Sequence, residues 1–265
     1  MSFLGRILRH SEPAQNATHA LAMVMLEDAA SIDIAAIVQE LNGASSAVLQ
    51  GAEWEANEGV ATATLPGGAL GLAVLPVPIP PGDLEGPVKL AWHWPDAATA
   101  VASHTAHVIV HSGSTTLSRV QVRLALTKLV GVVLKHSDAV GVYVGDALLV
   151  RSAHDYAADA SSASPDALPL LSWIGFQLVR EDAGYSVYTT GLTHFGLKEL
   201  EARRPTRPVE EVLGMLAEVA HYQIATGRII GDGETVGATA HDRTRVRYQS
   251  SAFIPDMTVA VLELT

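Results

Sequence analysis

The stretch that decides the fold is residues 170–204, which read LLSWIGFQLVREDAGYSVYTTGLTHFGLKELEARR. Two strand-like runs flank Asp182-Ala183-Gly184, a combination typical of a tight turn between paired strands. The following Thr189-Thr190-Gly191 predicts a second turn that opens a charged segment. The pattern indicates a β-hairpin with an exposed polar loop. It contains no nucleophile, base and orienting group at a spacing that identifies a reaction.

Outward from this hairpin, helices alternate with strands in both directions. Before it we expect strands at 19–26, 47–54, 59–65, 70–75, 106–111 and 138–144, and helices at 31–43, 95–104, 115–136 and 152–160. The proline-rich residues 74–83 predict a loop. After the hairpin we expect a helix at 209–226 that ends at Gly227, followed by strands at 244–253 and 259–264.

These elements predict an α+β fold with mixed or antiparallel sheets and packed helices. A linker rich in Ser, Ala and Pro ends at Pro169. We therefore expect an N-terminal segment at 1–18, one α+β half at 19–160 and a second at 170–265, packed as one unit. The element order of the first half resembles a ferredoxin-like unit with an added strand. Two related halves are a hypothesis, since no residue-level repeat demonstrates duplication.

Composition excludes several classes of function. The 265 residues contain no cysteine, so disulfides, thiolate metal sites and cysteine nucleophiles are excluded. The formal net charge of −11 disfavours nucleic acid and favours a basic partner. The N-terminus lacks the apolar core of a signal peptide, and no run approaches the roughly 20 apolar residues of a membrane span. We therefore expect a cytoplasmic protein without stable membrane insertion or bound nucleic acid.

Three histidines form one candidate metal site. On a strand, His107 and His111 would share a face with Ile109 between them, and His104 would approach from the preceding helix end. Imidazole nitrogens are common zinc ligands. No carboxylate lies close in sequence to complete the site, so the favoured interpretation is three unrelated histidines around a buried strand.

Two further patterns could bind an anion or an acidic surface. Ser112, Ser114 and Thr115 lie where a strand is expected to meet a helix N-terminus, and its free N–H groups attract anions. Helix capping alone would also explain them. The residues Arg243, Arg245 and Arg247 alternate along a strand, so their guanidinium groups would share a face. They could bind phosphate or a partner, pair with cross-strand acids, or protect a sheet edge.

A last candidate site combines two loops. Thr189, Thr190 and His194 place a potential base beside hydroxyl groups, and Asp232 and Glu234 place two carboxylates around a glycine. With His194 or His221, the carboxylates could form a metal or acid–base site. The same residues also suit a strand exit and a hairpin turn.

Three motifs carry a family resemblance: 92–97 (WHWPDA), 188–201 (YTTGLTHFGLKELE) and 230–235 (IGDGET). Together they resemble the bacterial domain of unknown function numbered 4261, over most of the chain after about His19. The resemblance supplies no activity, cofactor or catalytic residue. It implies a cytosolic bacterial protein, and an association of some members with contact-dependent secretion systems makes an immunity or accessory role a hypothesis.

The sequence therefore predicts a non-enzymatic cytosolic protein that binds another protein and carries no cofactor. The first alternative is a metal-dependent hydrolase, with ligands drawn from His104, His107, His111, His194, His221, Asp232 and Glu234. The second is a small-anion sensor that uses the region from Ser112 to Thr116 and the arginine row.

Overall fold

The computed structural model describes residues 17–43, 49, 52–65, 67–182, 184–237 and 243–264. Residues 1–16 of the expected N-terminal segment lie outside these ranges. Within them are seven α-helices and two sheets, which confirms the α+β prediction. No helix in this part of the chain is long and apolar enough to cross a membrane.

The first sheet has seven strands, all paired antiparallel. They are β1 (Thr18–Leu26), β2 (Glu53–Asn57), β3 (Val60–Leu65), β4 (Gly68–Leu75), β5 (Ala106–Ser114), β6 (Ala139–Val144) and β7 (Leu149–Ser152). Their order across the sheet is β2-β3-β4-β5-β1-β6-β7. The first strand of the chain is therefore internal, with β5 on one side and β6 on the other.

Helices cover both faces of this sheet. They are α1 (Ile34–Asn42), α2 (Pro81–Lys89), α3 (Ala97–Ser103), α4 (Arg119–Lys135) and α5 (Ala153–Ser162). Val24 packs into the core beneath α1, α4 and α5, whereas Met23 and Met25 pack into the core beneath α2 and α3. Because adjacent residues of a strand point to opposite faces, burial on both sides explains why β1 is a continuous apolar run.

The second sheet has six strands and one parallel pair, β10 with β13. Its strands are β8 (Gly175–Glu181), β9 (Gly184–Thr190), β10 (Leu200–Ala202), β11 (Thr235–Val236), β12 (Thr244–Ser250) and β13 (Thr258–Glu263). The order is β11-β12-β13-β10-β9-β8. Glu181 pairs with Gly184, so the predicted hairpin forms at the predicted place.

Two helices belong to the second half, α6 (Leu170–Trp173) and α7 (Val209–Thr226). The long helix α7 buries Val212, Leu216 and Ala220 against the second sheet. Helix α4 contributes to both cores: Leu126 and Val130 pack in the first half, and Leu124 packs in the second. The two halves are thus joined around a helix that is buried on several sides. The two strand orders differ, and the relation between the halves stays a hypothesis.

Two predicted boundaries are wrong for local reasons. Residues 74–83 are not entirely loop, because α2 begins at Pro81. Proline suits the first helical position, where its missing N–H costs nothing. Strand β5 continues to Ser114, and α4 begins only at Arg119. A capping box between Ser118 and Gln121 sets this start by satisfying two backbone N–H groups.

Candidate functional site

The three histidines of the first metal hypothesis do not converge. The His104 ring accepts a hydrogen bond from the Ile79 N–H at 2.9 Å, and the His107 ring donates to the Val77 carbonyl at 2.7 Å. Both therefore hold the segment before α2 against β5. His111 instead lies beside His19. No group of three or more potential metal ligands forms among the described residues.

The residues of the anion-pocket hypothesis, Ser112, Ser114 and Thr115, lie at the end of β5 and directly after it, before the helix that begins at Arg119. Ser112 and Ser114 are buried in β5. The Ser114 hydroxyl accepts hydrogen bonds from the N–H groups of Thr116 and Leu117. The Thr115 N–H and hydroxyl both donate to the Gly67 carbonyl. The backbone donors that an anion would need are therefore already used.

Arg245 and Arg247 lie on one face of β12, whereas Arg243 directly precedes this strand. Arg243 and Arg245 are exposed, and Arg247 is partly exposed. Arg245 lies directly opposite Glu263 on β13, and an Arg247 nitrogen lies 3.8 Å from a carboxylate oxygen of Asp232. Arg245 and Arg247 thus each have a neighbouring acid, and this arrangement fits the interpretation of cross-strand charge pairing.

The run from Thr189 to His194 lies where the two halves meet, a contact that we call the joint; its residues from Thr189 to Leu192 are buried, and Thr193 is exposed. Thr189 and Thr190 are buried, and the Thr190 hydroxyl donates to the Ala147 carbonyl at 2.5 Å. Gly191 has a φ of 106° and lies against Trp173 and Ala147, where a β-carbon would come within 2.7 Å of the Trp173 carbonyl. Only glycine satisfies both conditions.

Three ion-paired side chains, Arg123, Asp146 and His194, connect the two halves at the same joint. Asp146, from the first half, accepts a hydrogen bond from Arg123 at 2.9 Å and lies 3.2 Å from Nδ1 of His194. Burial tends to raise the pKa of Asp146. The hydrogen bond from His194 and the charge and hydrogen bond of Arg123 outweigh this and lower its pKa to about 2. Asp146 is therefore ionised at neutral pH and neutralises the buried Arg123 guanidinium.

These three side chains resemble a catalytic base with its orienting carboxylate. Nε2 of His194 is buried and has no hydrogen-bond partner among the described residues. In this arrangement the ring therefore activates no hydroxyl of the described residues. General-base catalysis requires a base within hydrogen-bond reach of the proton that it removes.

Glu199 stabilises the joint through hydrogen bonds to its loop. Its buried carboxylate accepts hydrogen bonds from the Gly191 N–H at 2.9 Å, the Thr193 N–H at 3.0 Å and the Thr189 hydroxyl at 2.7 Å. Burial raises the pKa of Glu199, and these hydrogen bonds oppose the rise. The carboxylate thus satisfies N–H groups at the start of the 3₁₀ helix Leu192–Phe195, which carries His194.

A second joint contains the motif at 92–97. The Trp92 indole N–H donates to the Phe176 carbonyl on β8 at 2.7 Å, and the His93 ring donates to the Val150 carbonyl on β7 at 3.1 Å. Two of the three motifs that carry the family resemblance therefore connect the first half to the second. Their residue types are explained by packing rather than by chemistry on a substrate.

The third motif borders an open groove between α7 and β11. The groove has a volume of about 360 Å³, and its apolar lining includes Met215, Val219, Ile230 and Val236. On the helix side, Met215, Val219 and Tyr222 are three or four residues apart, a spacing that places them on one helical face. The groove is large enough for one or two apolar side chains.

Polar groups surround this apolar lining. Arg228 donates to the Tyr222 hydroxyl at 3.3 Å and to Glu234 at 3.1 Å. Glu234 also accepts from the Gly231 N–H, and this bond, followed by Arg228, lowers its pKa. Glu218 is exposed at the groove and makes no hydrogen bond or ion pair with another described residue.

The carboxylates of Asp232 and Glu234 accept hydrogen bonds from different backbone N–H groups, Asp232 from one on β12 and Glu234 from one within the turn. Asp232 accepts a hydrogen bond from the Tyr248 N–H at 2.8 Å, and Gly233 has a φ of 82°. The turn interpretation accounts for both carboxylates. His194 lies in the joint and His221 on α7, and neither completes a metal site with them in the part of the chain that the structure describes.

Sequence reasoning missed the residues that make these sites, including Asp146, Glu199 and Glu218. One available signal was the composition of α7, which contains three glutamates and no lysine or arginine. Asp146 and Arg123 gave no such signal, because their partners lie on other elements.

Comparison with known proteins bears on the family and not on the activity. No curated protein and no solved structure matches this chain. Residues 188–263 match a family model described as "Domain of unknown function (DUF4261)". The matched residues include the joint loop, Glu199, α7 and the turn beside the groove, whereas the motif at 92–97 precedes them. This match, over residues 188–263, is to the family that the sequence motifs suggested.

Proposed function

We propose that this protein is a non-enzymatic binding protein and that the groove between α7 and β11 receives a segment of a partner protein. The observation that carries the proposal is an apolar groove with an exposed, unpaired glutamate at its edge. Interfaces are dominated by a few apolar anchors in desolvated pockets with polar groups around them. The groove has this composition.

The charges of α7 specify the chemistry of the partner. Glu210, Glu211 and Glu218 are exposed, and the helix has no lysine or arginine to neutralise them. A segment that places an apolar side chain in the groove and a lysine or arginine beside Glu218 would match both features. Complementary charge of this kind increases the association rate and selects among partners.

The alternatives have less support. The metal-dependent hydrolase needs a set of ligands that meet, and none of its candidate sets comes together among the described residues. The anion sensor needs free N–H groups after β5, and these are occupied. A narrower form of our proposal, an immunity or accessory protein of a bacterial secretion system in the cytoplasm, rests on the family resemblance alone.

The absence of cysteine permits a direct test. In the variant Tyr222→Cys, the new thiol is unique and can carry a photoactivated cross-linker at the groove. Glu55→Cys, exposed on the edge strand β2 of the other sheet, is the matched control. We expect a protein from the native lysate to cross-link at position 222 and not at position 55.

The partner identified in this way is then used in a binding assay with charge reversals. Glu218→Lys should weaken binding by about ten-fold or more, since each such factor corresponds to about 1.4 kcal/mol. Glu55→Lys should leave binding unchanged. Equal cross-linking at both positions, no cross-linked protein at all, or a partner that is insensitive to Glu218→Lys would contradict the proposal.

A further inference from the structure

Two histidines from distant parts of the sequence meet on the first sheet. Strands β1 and β5 are antiparallel neighbours, with His19 opposite Gly113 and His111 opposite Leu21. The two imidazoles are therefore diagonal neighbours on one face. Their rings stack with centroids 5.4 Å apart, and Nδ1 of His19 lies 3.2 Å from Nε2 of His111.

This end of the sheet is open to solvent. Along the same face of β1, Met25 and Met23 are buried, Leu21 is partly buried and His19 is exposed. The helices α2 and α3 cover the methionines and leave the histidine end uncovered. A small ion can therefore approach the pair from solvent.

A glycine beside the pair leaves room for the two rings. The cross-strand partner of His19 is Gly113. A β-carbon at position 113 would lie 2.6 Å from Nδ1 of His19 and 2.9 Å from Cε1 of His111. Any larger residue at this position would thus displace the rings from their present arrangement.

The distance between the facing nitrogens suits a shared metal ion. Zinc–imidazole bonds are about 2.0–2.1 Å long, so two nitrogens at a tetrahedral angle lie about 3.3 Å apart. The observed separation is 3.2 Å. A neutral imidazole carries one proton on either nitrogen. With the protons on Nε2 of His19 and Nδ1 of His111, both facing nitrogens present lone pairs to the ion.

We propose that His19 and His111 form a two-histidine site for a divalent transition-metal ion, with zinc as the reference ion. Imidazole suits zinc, copper and nickel. Two protein ligands leave at least two positions of a tetrahedral ion for water or for a donor group from another molecule. This site differs from the rejected combination of His104, His107 and His111, and it is independent of the groove on α7.

The test is titration of the purified full chain with zinc chloride, followed by calorimetry and by ¹⁵N NMR of the imidazole nitrogens. We expect one principal equivalent of zinc, with shifts at Nδ1 of His19 and Nε2 of His111. His19→Ala and His111→Gln should each weaken binding by about ten-fold or more, the scale of losses seen when a metal site is perturbed. His221→Ala, which removes an exposed histidine on α7, is the matched control and should bind normally.

Gly113→Ala provides a second test in which both histidines are retained. It should also weaken zinc binding, because the added carbon occupies the space beside the two nitrogens. Thermal unfolding without metal reports whether each variant is folded. Absence of zinc binding by the wild-type chain, or binding that survives both histidine substitutions in folded protein, would overturn the proposal. Shifts confined to other histidines would overturn it as well.

Discussion

The joint between the halves and the groove on α7 use the same residue type in opposite ways. Glu199 is 2% exposed and accepts hydrogen bonds from three groups. Glu218 is exposed and makes no ion pair or hydrogen bond with another described residue. The first carboxylate stabilises the fold, whereas the second is available to another molecule. Within the family-matched residues, burial and local donors therefore separate a structural glutamate from a candidate binding glutamate.

The largest effect on stability is expected for Glu199→Ala. This change leaves the buried Gly191 N–H, the partly buried Thr193 N–H and the buried Thr189 hydroxyl without their acceptor. At 1–3 kcal/mol for each unsatisfied group, the free energy of unfolding should fall by about 4 kcal/mol. Urea denaturation measures this change.

The variant Glu218→Ala tests the contrast between the structural Glu199 and the exposed Glu218. This exposed substitution should change the free energy of unfolding by less than about 0.5 kcal/mol while it reduces partner binding. Similar losses of stability for the two alanine variants would remove the distinction between joint and groove.

The next largest loss of stability is expected for Asp146→Asn, which removes the negative charge beside Arg123. Arg123 is 1% exposed, so its charge would remain buried without a counterion. Breaking a buried pair costs about 3–5 kcal/mol. Since Asp146 is itself partly exposed, we expect a loss of about 2 kcal/mol in urea denaturation at pH 7. A loss below about 0.5 kcal/mol would show that the pair contributes little to joining the halves.

The same residue predicts a pH dependence with a defined sign. The pKa of Asp146 falls from 3.8 to about 2 on folding, because His194 and Arg123 outweigh the effect of burial. A lowered folded-state pKa stabilises the protein above the unfolded value, and this stabilisation disappears as pH decreases through the folded value. Wild-type stability should therefore decrease between about pH 4 and pH 2. The decrease should be shallower in Asp146→Asn, and equal slopes would contradict the assignment.

A smaller loss of stability is expected for a substitution at the second joint. Trp92→Phe keeps an aromatic ring and removes the indole N–H that donates to the Phe176 carbonyl. The loss should be about 1 kcal/mol, the usual net contribution of one hydrogen bond. Hydrogen exchange of the amides in β8 would show whether the loss is local to the joint. Unchanged exchange in β8 would contradict a joining role for Trp92.

The smallest change in the free energy of unfolding is expected for Arg247→Gln. Its charged groups lie 3.8 Å from Asp232, and both side chains are at least 40% exposed. An exposed pair at this distance contributes at most about 0.5 kcal/mol. Urea denaturation in low and high salt should give nearly the same result for this variant and the wild-type chain. A larger loss of stability would show that this pair contributes as the buried pairs of the joint do, and not as an exposed surface pair does.

Most elements were predictable from the sequence because their signals are local. The helix predicted at 209–226 has those bounds in the structure, since apolar spacing defines its buried face and Gly227 ends it with a φ of 70°. The hairpin at 182–184 also forms where its turn residues indicate. Errors arose where two local signals compete, as at Pro81 and at the capping box of α4.

The sites were far less predictable, because each of them joins residues that are distant in sequence. The sequence grouped His111 with His104 and His107 as a candidate metal site, although three unrelated histidines were the favoured interpretation, and the strand alternation places His107 on its face. Its actual neighbour is His19, 92 positions earlier in the chain. The antiparallel pairing of β1 with β5 brings these two residues together, and no periodicity of either strand specifies its partner.

By itself, the sequence determined the α+β class, most helices and strands, the acidic charge, the absence of thiol chemistry and the family of residues 188–263. These properties depend on composition or on residues a few positions apart. Only the tertiary structure decided that the Thr-Thr-Gly run is buried, that Asp146 links Arg123 to His194, and that Glu218 remains unpaired beside a groove. Burial and pairing decide what a polar side chain can do, and both depend on which distant elements pack together.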